Sequence, residues 1–187
     1  MFTIPNSLTF LRIFLIPFFV GSYYLPFSWS NELSTLLFGL AAITDWLDGY
    51  LARRWHQTSP LGAFLDPVAD KLMVAAALVV LVQAHPTIFM VVPAIVIIGR
   101  EITISALREW MAELGSRAQV AVSVIGKFKT AAQMTALVLL IYRDDLFGLP
   151  IFTIGYVLLY ISVVLTLWSM TVYLQAAWPA LKGDSEE

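Results

Sequence analysis

Apolar residues along this chain fall into six long runs with short polar breaks between them. The runs extend from Asn6 or Ser7, either of which can cap a helix after Pro5, to about Leu25, then roughly Leu33 to Trp55, Leu61 to Ala84, Thr87 to Trp110, Val120 to Tyr142 and Pro150 to Trp178. Each run has about the ~20 residues that an α-helix needs to cross a bilayer. The expected architecture is therefore all-α: a polytopic membrane protein, a bundle of six transmembrane helices, forming one domain over residues 1–187. Only the tail KGDSEE, about 182–187, is expected to be disordered. The start carries no basic residue ahead of its first apolar run, and Arg12 interrupts that run, a pattern unlike a cleaved signal peptide.

Composition supports a membrane class. The chain is 59% hydrophobic and 13% charged, with a mean hydropathy of +0.81. The absence of cysteine removes disulfide, haem-thiolate and zinc-thiolate readings. The net charge of −2 matters less than where the charges stand. If both termini share one side, Arg12, Arg53, Arg54, Lys71, Arg100, Arg108, Arg117, Lys127, Lys129 and Lys182 all lie on or toward it, and only Arg143 lies opposite. The positive-inside rule then makes that side cytoplasmic, with Trp55, Trp110 and Trp178 at the inner interface and Trp29 at the outer one.

Counting from the outer ends of the runs gives depth. Twelve residues separate Glu32 from Asp45, and thirteen or fourteen separate the outer ends of the other helices from Asp70, Arg100 and Lys129. At ~1.5 Å per residue these charges lie roughly 18 to 21 Å from the outer face, about 10 Å below the inner interface. Arg12 reaches the same level. Charges from five helices at one depth predict a polar cavity open to the cytoplasm; the sixth helix reads as scaffold or dimer surface.

The chemistry concentrates between residues 45 and 70. On a helix Asp45, Asp48, Gly49 and Ala52 share one face, and on the next helix Gly62, Asp66 and Asp70 are spaced by four. A short connection makes these helices antiparallel neighbours, so all four acids can converge. Carboxylates gathered this way repel one another unless cations hold them together, and an all-oxygen donor set suits Mg²⁺ or Mn²⁺, as one or two ions. Gly49, Ala52 and Gly62 leave room for a ligand to approach the backbone, and Arg53 offers a donor fork to phosphate. Together these features suggest phosphoryl chemistry on a nucleotide-like substrate. Asp66 precedes Pro67, which predicts a kink in the third helix.

Written with its spacing, the stretch is Asp45-x2-Asp48-Gly49-x2-Ala52-Arg53-x8-Gly62-x3-Asp66-x3-Asp70. This resembles the full signature of the CDP-alcohol phosphotransferases. PNSLTFLRIFLIP, GREITISALREWMAELG and GKFKTAAQM extend the resemblance, toward the bacterial phosphatidylglycerophosphate synthase branch, over nearly the whole chain. The resemblance implies transfer of a phosphatidyl group from CDP-diacylglycerol to sn-glycerol 3-phosphate in the bacterial inner membrane, by a homodimer among membrane lipid, with no nucleic-acid partner. It implies metal ligation by Asp45, Asp48 and Asp66, with Asp70 as general base and possible further ligand, and contacts to CDP-diacylglycerol from Gly49, Arg53 and Ser59, beside Ala52 and Gly62. The acceptor's phosphate needs fixed positive charge, for which Arg108 and Lys127 are first choices and Arg100 and Lys129 second.

Plainer readings stand beside these. Arg12, Lys71 and Lys129 can each snorkel toward headgroups, Arg54 can be an anchor, and Arg100 with Glu101 can be an ion pair between helices. His56 and His85 are expected in solvated loops. A transporter could place charges at one depth without needing the signature, an intramembrane prenyltransferase would show different acidic spacing, and a relative within the family could use serine or inositol phosphate as acceptor.

Overall fold

The computed structural model describes residues 4–55, 59–113 and 124–181. They form six α-helices: α1 (Ile4–Tyr23), α2 (Ser30–Trp55), α3 (Pro60–Ala84), α4 (Ile88–Glu113), α5 (Val124–Tyr142) and α6 (Ile151–Leu181). The six apolar runs thus become six helices. The expected tail 182–187, Arg117 and His56 lie outside the described residues.

Three of the helices are long and apolar enough to cross a membrane, over Asn6–Tyr23, Ile88–Glu113 and Ile151–Trp178. At 26 and 25 residues, α2 and α3 have the length, but they carry the acids of the signature. The apolar stretch of α5, Phe128–Tyr142, is shorter.

Local rules explain the element ends. Ser59 caps α3, its Oγ accepting the Gly62 amide at 2.9 Å, with Pro60 at the first helical position, where no amide hydrogen is needed. α3 runs as one helix from Pro60 to Ala84, with Pro67 inside it. In α4, Pro93 cannot bond the Phe89 carbonyl, and Tyr160 of α6 donates its hydroxyl to that oxygen at 3.0 Å. Between α5 and α6, Arg143, Phe147 and Gly148 have φ of 64°, 53° and 76°, left-handed backbone that turns the chain tightly.

α1 packs on α2 and α3, α5 on α6, α2 and α3, and α4 on α3 and α6. At Gly155 an added Cβ would come within 2.9 Å of Leu140 Cγ, so α6 approaches α5 more closely than any side chain would permit. The apolar core gathers Phe19, Phe38, Leu78, Leu81, Met90, Ile97, Leu137, Leu140, Ile141 and Leu159, all fully buried. In each of α1 to α5 these core residues lie toward one end and, Glu32 in the first turn of α2 apart, the charged residues toward the other. The bundle is therefore divided along its length into an apolar half and a polar half.

Around Arg143, the expected outer side holds a small polar cluster. Arg143 Nη2 donates to Asn31 Oδ1 at 2.6 Å, and its guanidinium lies 4.3 Å from the Tyr23 ring centre. His85 is half-buried against Phe152 rather than solvated as expected, because the α3–α4 turn is packed under the start of α6. Burial first, and the nearby Arg143 charge second, hold its ring below the ordinary imidazole range.

Candidate active site

The polar half is organised by α1. Asn6, Thr9 and Arg12 recur every third residue and are 2%, 0% and 1% exposed. Each reaches the 45–70 segment. Asn6 Nδ2 donates to Ser59 Oγ at 2.9 Å, and Ser59 Oγ lies 3.0 Å from Asn6 Oδ1. Thr9 Oγ1 donates to Asp66 Oδ1 at 2.6 Å. Arg12 Nη1 donates to Asp45 Oδ1 at 2.6 Å, and its Nη2 pairs with Asp48 Oδ2. The snorkelling reading of Arg12 is thereby overturned: the guanidinium points inward, because two carboxylates of α2 compensate it.

Of the two acids, Asp48 is buried while the Asp45 side chain is 45% exposed. Asp48 also feels the charges of Asp45 and Asp66, and Asp70 those of Asp45, Arg12, Glu101 and Lys129. All four acids thus share one electrostatic neighbourhood. They do not close on a point: among the described residues no three acidic or histidine side chains stand ready to hold one ion. Asp45 and Asp48 are held by Arg12 instead.

The room beside Gly62 is taken by protein. A Cβ there would lie 2.5 Å from Asn6 Oδ1 and 3.2 Å from Ser59 Oγ, so glycine is what lets α1 dock on the start of α3. Gly49 is half-buried on α2. Ala52 and Arg53 lie within α2 and Lys127 within α5, with side chains outside the described residues.

On the far side of Asp70, Glu101 collects two cations. Arg100 Nη1 donates to its Oε1 at 2.6 Å and Lys129 Nζ at 2.9 Å, with Lys129 5% exposed. The expected interhelical pair of Arg100 with Glu101 is instead a pairing of neighbours on α4, and the link between helices comes from Lys129, which does not snorkel. Among the described residues α4 and α5 have no close backbone approach, so these side chains bridge a gap. Arg100 also reaches Ser169 at 3.4 Å, and Arg108 Nη2 donates to Tyr173 Oη at 2.9 Å. Both partners lie on α6, which supplies polar groups to the site as well as scaffold. Lys71 bonds Ser105 of α4.

Asn6, Thr9, Ser105, Ser169 and Tyr173 were missed by sequence reasoning, which looked for charge. The signal for the first two was present: uncharged polar residues at offsets of three on an otherwise apolar helix, in register with Arg12.

The donor set suits a hard divalent cation, since Asp45, Asp48, Asp66 and Asp70 offer only oxygen and Arg12 engages a single oxygen of Asp45 and of Asp48. The sequence profile of the CDP-alcohol phosphatidyltransferase family matches residues 2–168. The chain belongs to this family. A protein of Pseudomonas fluorescens described as CDP-diacylglycerol--glycerol-3-phosphate 3-phosphatidyltransferase is 56% identical over 185 residues, covering 98% of this chain and 94% of its own length. Proteins of the same description from Haemophilus influenzae and Salmonella paratyphi A are 57% and 54% identical, over 94% and 98% of this chain and 94% and 97% of their own lengths. As a CDP-alcohol phosphatidyltransferase, the chain is an enzyme of a membrane-bound family that generally depends on divalent metal.

Proposed function

We propose that this CDP-alcohol phosphatidyltransferase moves a phosphatidyl group from CDP-diacylglycerol to sn-glycerol 3-phosphate, giving phosphatidylglycerophosphate and CMP. The observation that carries the reading is the complete signature, with its acids in one neighbourhood, in a chain whose near full-length relatives bear that activity in their description.

Asp45, Asp48 and Asp66, with Asp70 adjoining, would hold one or two Mg²⁺ or Mn²⁺ ions, whose chemistry is to offset charge on the pyrophosphate and on departing CMP. Asp70 accepts the proton of the attacking glycerol hydroxyl. It feels Glu101 and Lys129 as well as Asp45 and Arg12, and this position between the two groups of charges supports a role facing the acceptor. The attack on phosphorus is direct, with no Ser, Cys or His nucleophile among the acids in the described residues. Gly49, Ala52 and Arg53 line the nucleotide side, and Ser59 and Gly62, packed with Asn6, hold the start of α3 beside it. Arg108 and Lys127, seconded by Arg100 and Lys129, hold the acceptor phosphate. The hydrogen-bond partner of Arg108 is the neutral Tyr173, which leaves its charge for an anion, whereas Arg100 and Lys129 already share Glu101.

We place the six helices across the cytoplasmic (inner) membrane, with the polar half and both termini toward the cytoplasm, in a homodimer. Lipid tails then stay in the bilayer while the soluble acceptor enters from the aqueous side. The test is CMP release from radiolabelled CDP-diacylglycerol with a panel of acceptors. Glycerol phosphate should be used with at least 100-fold preference over serine and inositol phosphate, about 2.7 kcal/mol. Preference for another acceptor, or no CMP release with any, overturns the reading.

A further inference from the structure

Among the described residues, the side-chain bonds to Asp45, Asp48 and Asp66 come from α1 rather than from α2 or α3. Asp45, with its side chain 45% exposed, has little packing to hold its rotamer. α1 supplies the constraint. The Arg12 guanidinium gives one Nη to each carboxylate of the Asp45–Asp48 pair, and a rigid planar fork fixes both the separation and the tilt of two acceptors, as a single ammonium cannot. It engages Oδ1 of Asp45 and Oδ2 of Asp48 and leaves each carboxylate a second oxygen. Thr9 repeats the arrangement with a single bond to Oδ1 of Asp66. Arg12 and Thr9, buried side by side on one helix, thus engage three of the four acids.

We infer that Arg12 is a positioning residue for the metal-holding acids: it sets Asp45 and Asp48 side by side with one oxygen of each left for the divalent cation, while Thr9 orients Asp66. Carboxylates that bind metal are themselves held by hydrogen bonds, and losing such support typically weakens metal binding by roughly 10- to 100-fold. The inference rests on the metal reading of the acids given above, and it separates from two plainer roles. A strut between α1 and α2 would affect melting and leave cation affinity alone. A guanidinium competing with the cation for the same oxygens would, on removal, tighten binding.

The test uses the full-length protein in lipid nanodiscs without substrates, with Mn²⁺ as probe and free ion measured by its six-line electron paramagnetic resonance signal. Arg12→Met should raise the Mn²⁺ dissociation constant about 10-fold or more. Arg12→Lys keeps the charge but loses the fork, so it should also weaken Mn²⁺ binding by about 5-fold or more while melting close to the wild type in metal-free buffer. This variant carries the test if Arg12→Met fails to insert. Unchanged or tighter Mn²⁺ binding in Arg12→Lys overturns the inference. If the wild type binds Mn²⁺, Asp45→Asn abolishes that binding and Arg12→Lys does not alter it, this inference alone fails. If the wild type binds no Mn²⁺, or Asp45→Asn leaves binding intact, the metal reading fails with it.

Discussion

Asp70 differs from the other three acids in its company. Asp45 and Asp48 are tied to Arg12, and Asp66 to Thr9, whereas Asp70 feels Glu101 and Lys129 in addition to Asp45 and Arg12. Alanine at any of the four should nearly abolish turnover. Asparagine should divide them: Asp70→Asn should keep Mn²⁺ binding within a few-fold of wild type, while Asp66→Asn should lose about 10-fold or more, because a base and a ligand lose different things with their charge. A well-inserted Asp70→Asn enzyme turning over at the wild-type rate would remove Asp70 from its role as base. The basic residues carry a separate expectation. Arg108→Ala and Lys127→Ala should each raise the KM for glycerol phosphate by about 10-fold or more, equivalent to ~1.4 kcal/mol, and leave the KM for CDP-diacylglycerol nearly unchanged. If the nucleotide lipid weakens instead, the two sides of the cavity have been exchanged.

At the scale of helices, stability depends on close contacts that no charge pattern reveals. Gly155 lets α6 lie against Leu139 and Leu140 of α5, and the atoms that a new side chain would meet sit near the α5 backbone, where they cannot swing aside. Gly155→Val should therefore cost about 1–3 kcal/mol, seen as a lower melting temperature in mild detergent. Melting at the wild-type temperature would mean that the two helices can part there at no cost. The same scale shows what was legible beforehand. Six apolar runs were enough to locate six helices, since a long apolar run satisfies its backbone most simply within itself. Asp66 and Asp70 stay within one helix although Pro67 stands between them. The function of Gly62 was not legible: glycine reads as room, but not as room for whom, and Asn6, 56 positions earlier, occupies it. Arg12 could be placed at the level of the acids by counting. Its fork onto Asp45 and Asp48 could not be, because counting gives depth and not azimuth.

For the molecule as a whole, the lengthwise division into apolar and polar halves is the organising fact, and the proposed orientation follows from which half faces the cytoplasm. The chain has no cysteine, so single introduced thiols report on sidedness without background. In intact cells a membrane-impermeant maleimide should label Phe147→Cys, at 94% exposure in the α5–α6 turn, and should reach Glu113→Cys at the end of α4 only after the membrane is opened. The reverse result would invert the bundle. The apolar half has an electrical consequence as well. In the proposed orientation this half, packed with Phe19, Phe38, Leu78, Leu137 and Leu159, would be the insulating layer across which the transmembrane voltage falls, and the proposed site would stay at cytoplasmic potential. Anionic substrates and CMP then come and go without crossing the field, although each full crossing would involve about 2.3 kcal/mol per charge at 100 mV. Turnover in sealed proteoliposomes should be the same with and without an imposed potassium diffusion potential, which makes this catalyst indifferent to whether its membrane is energised.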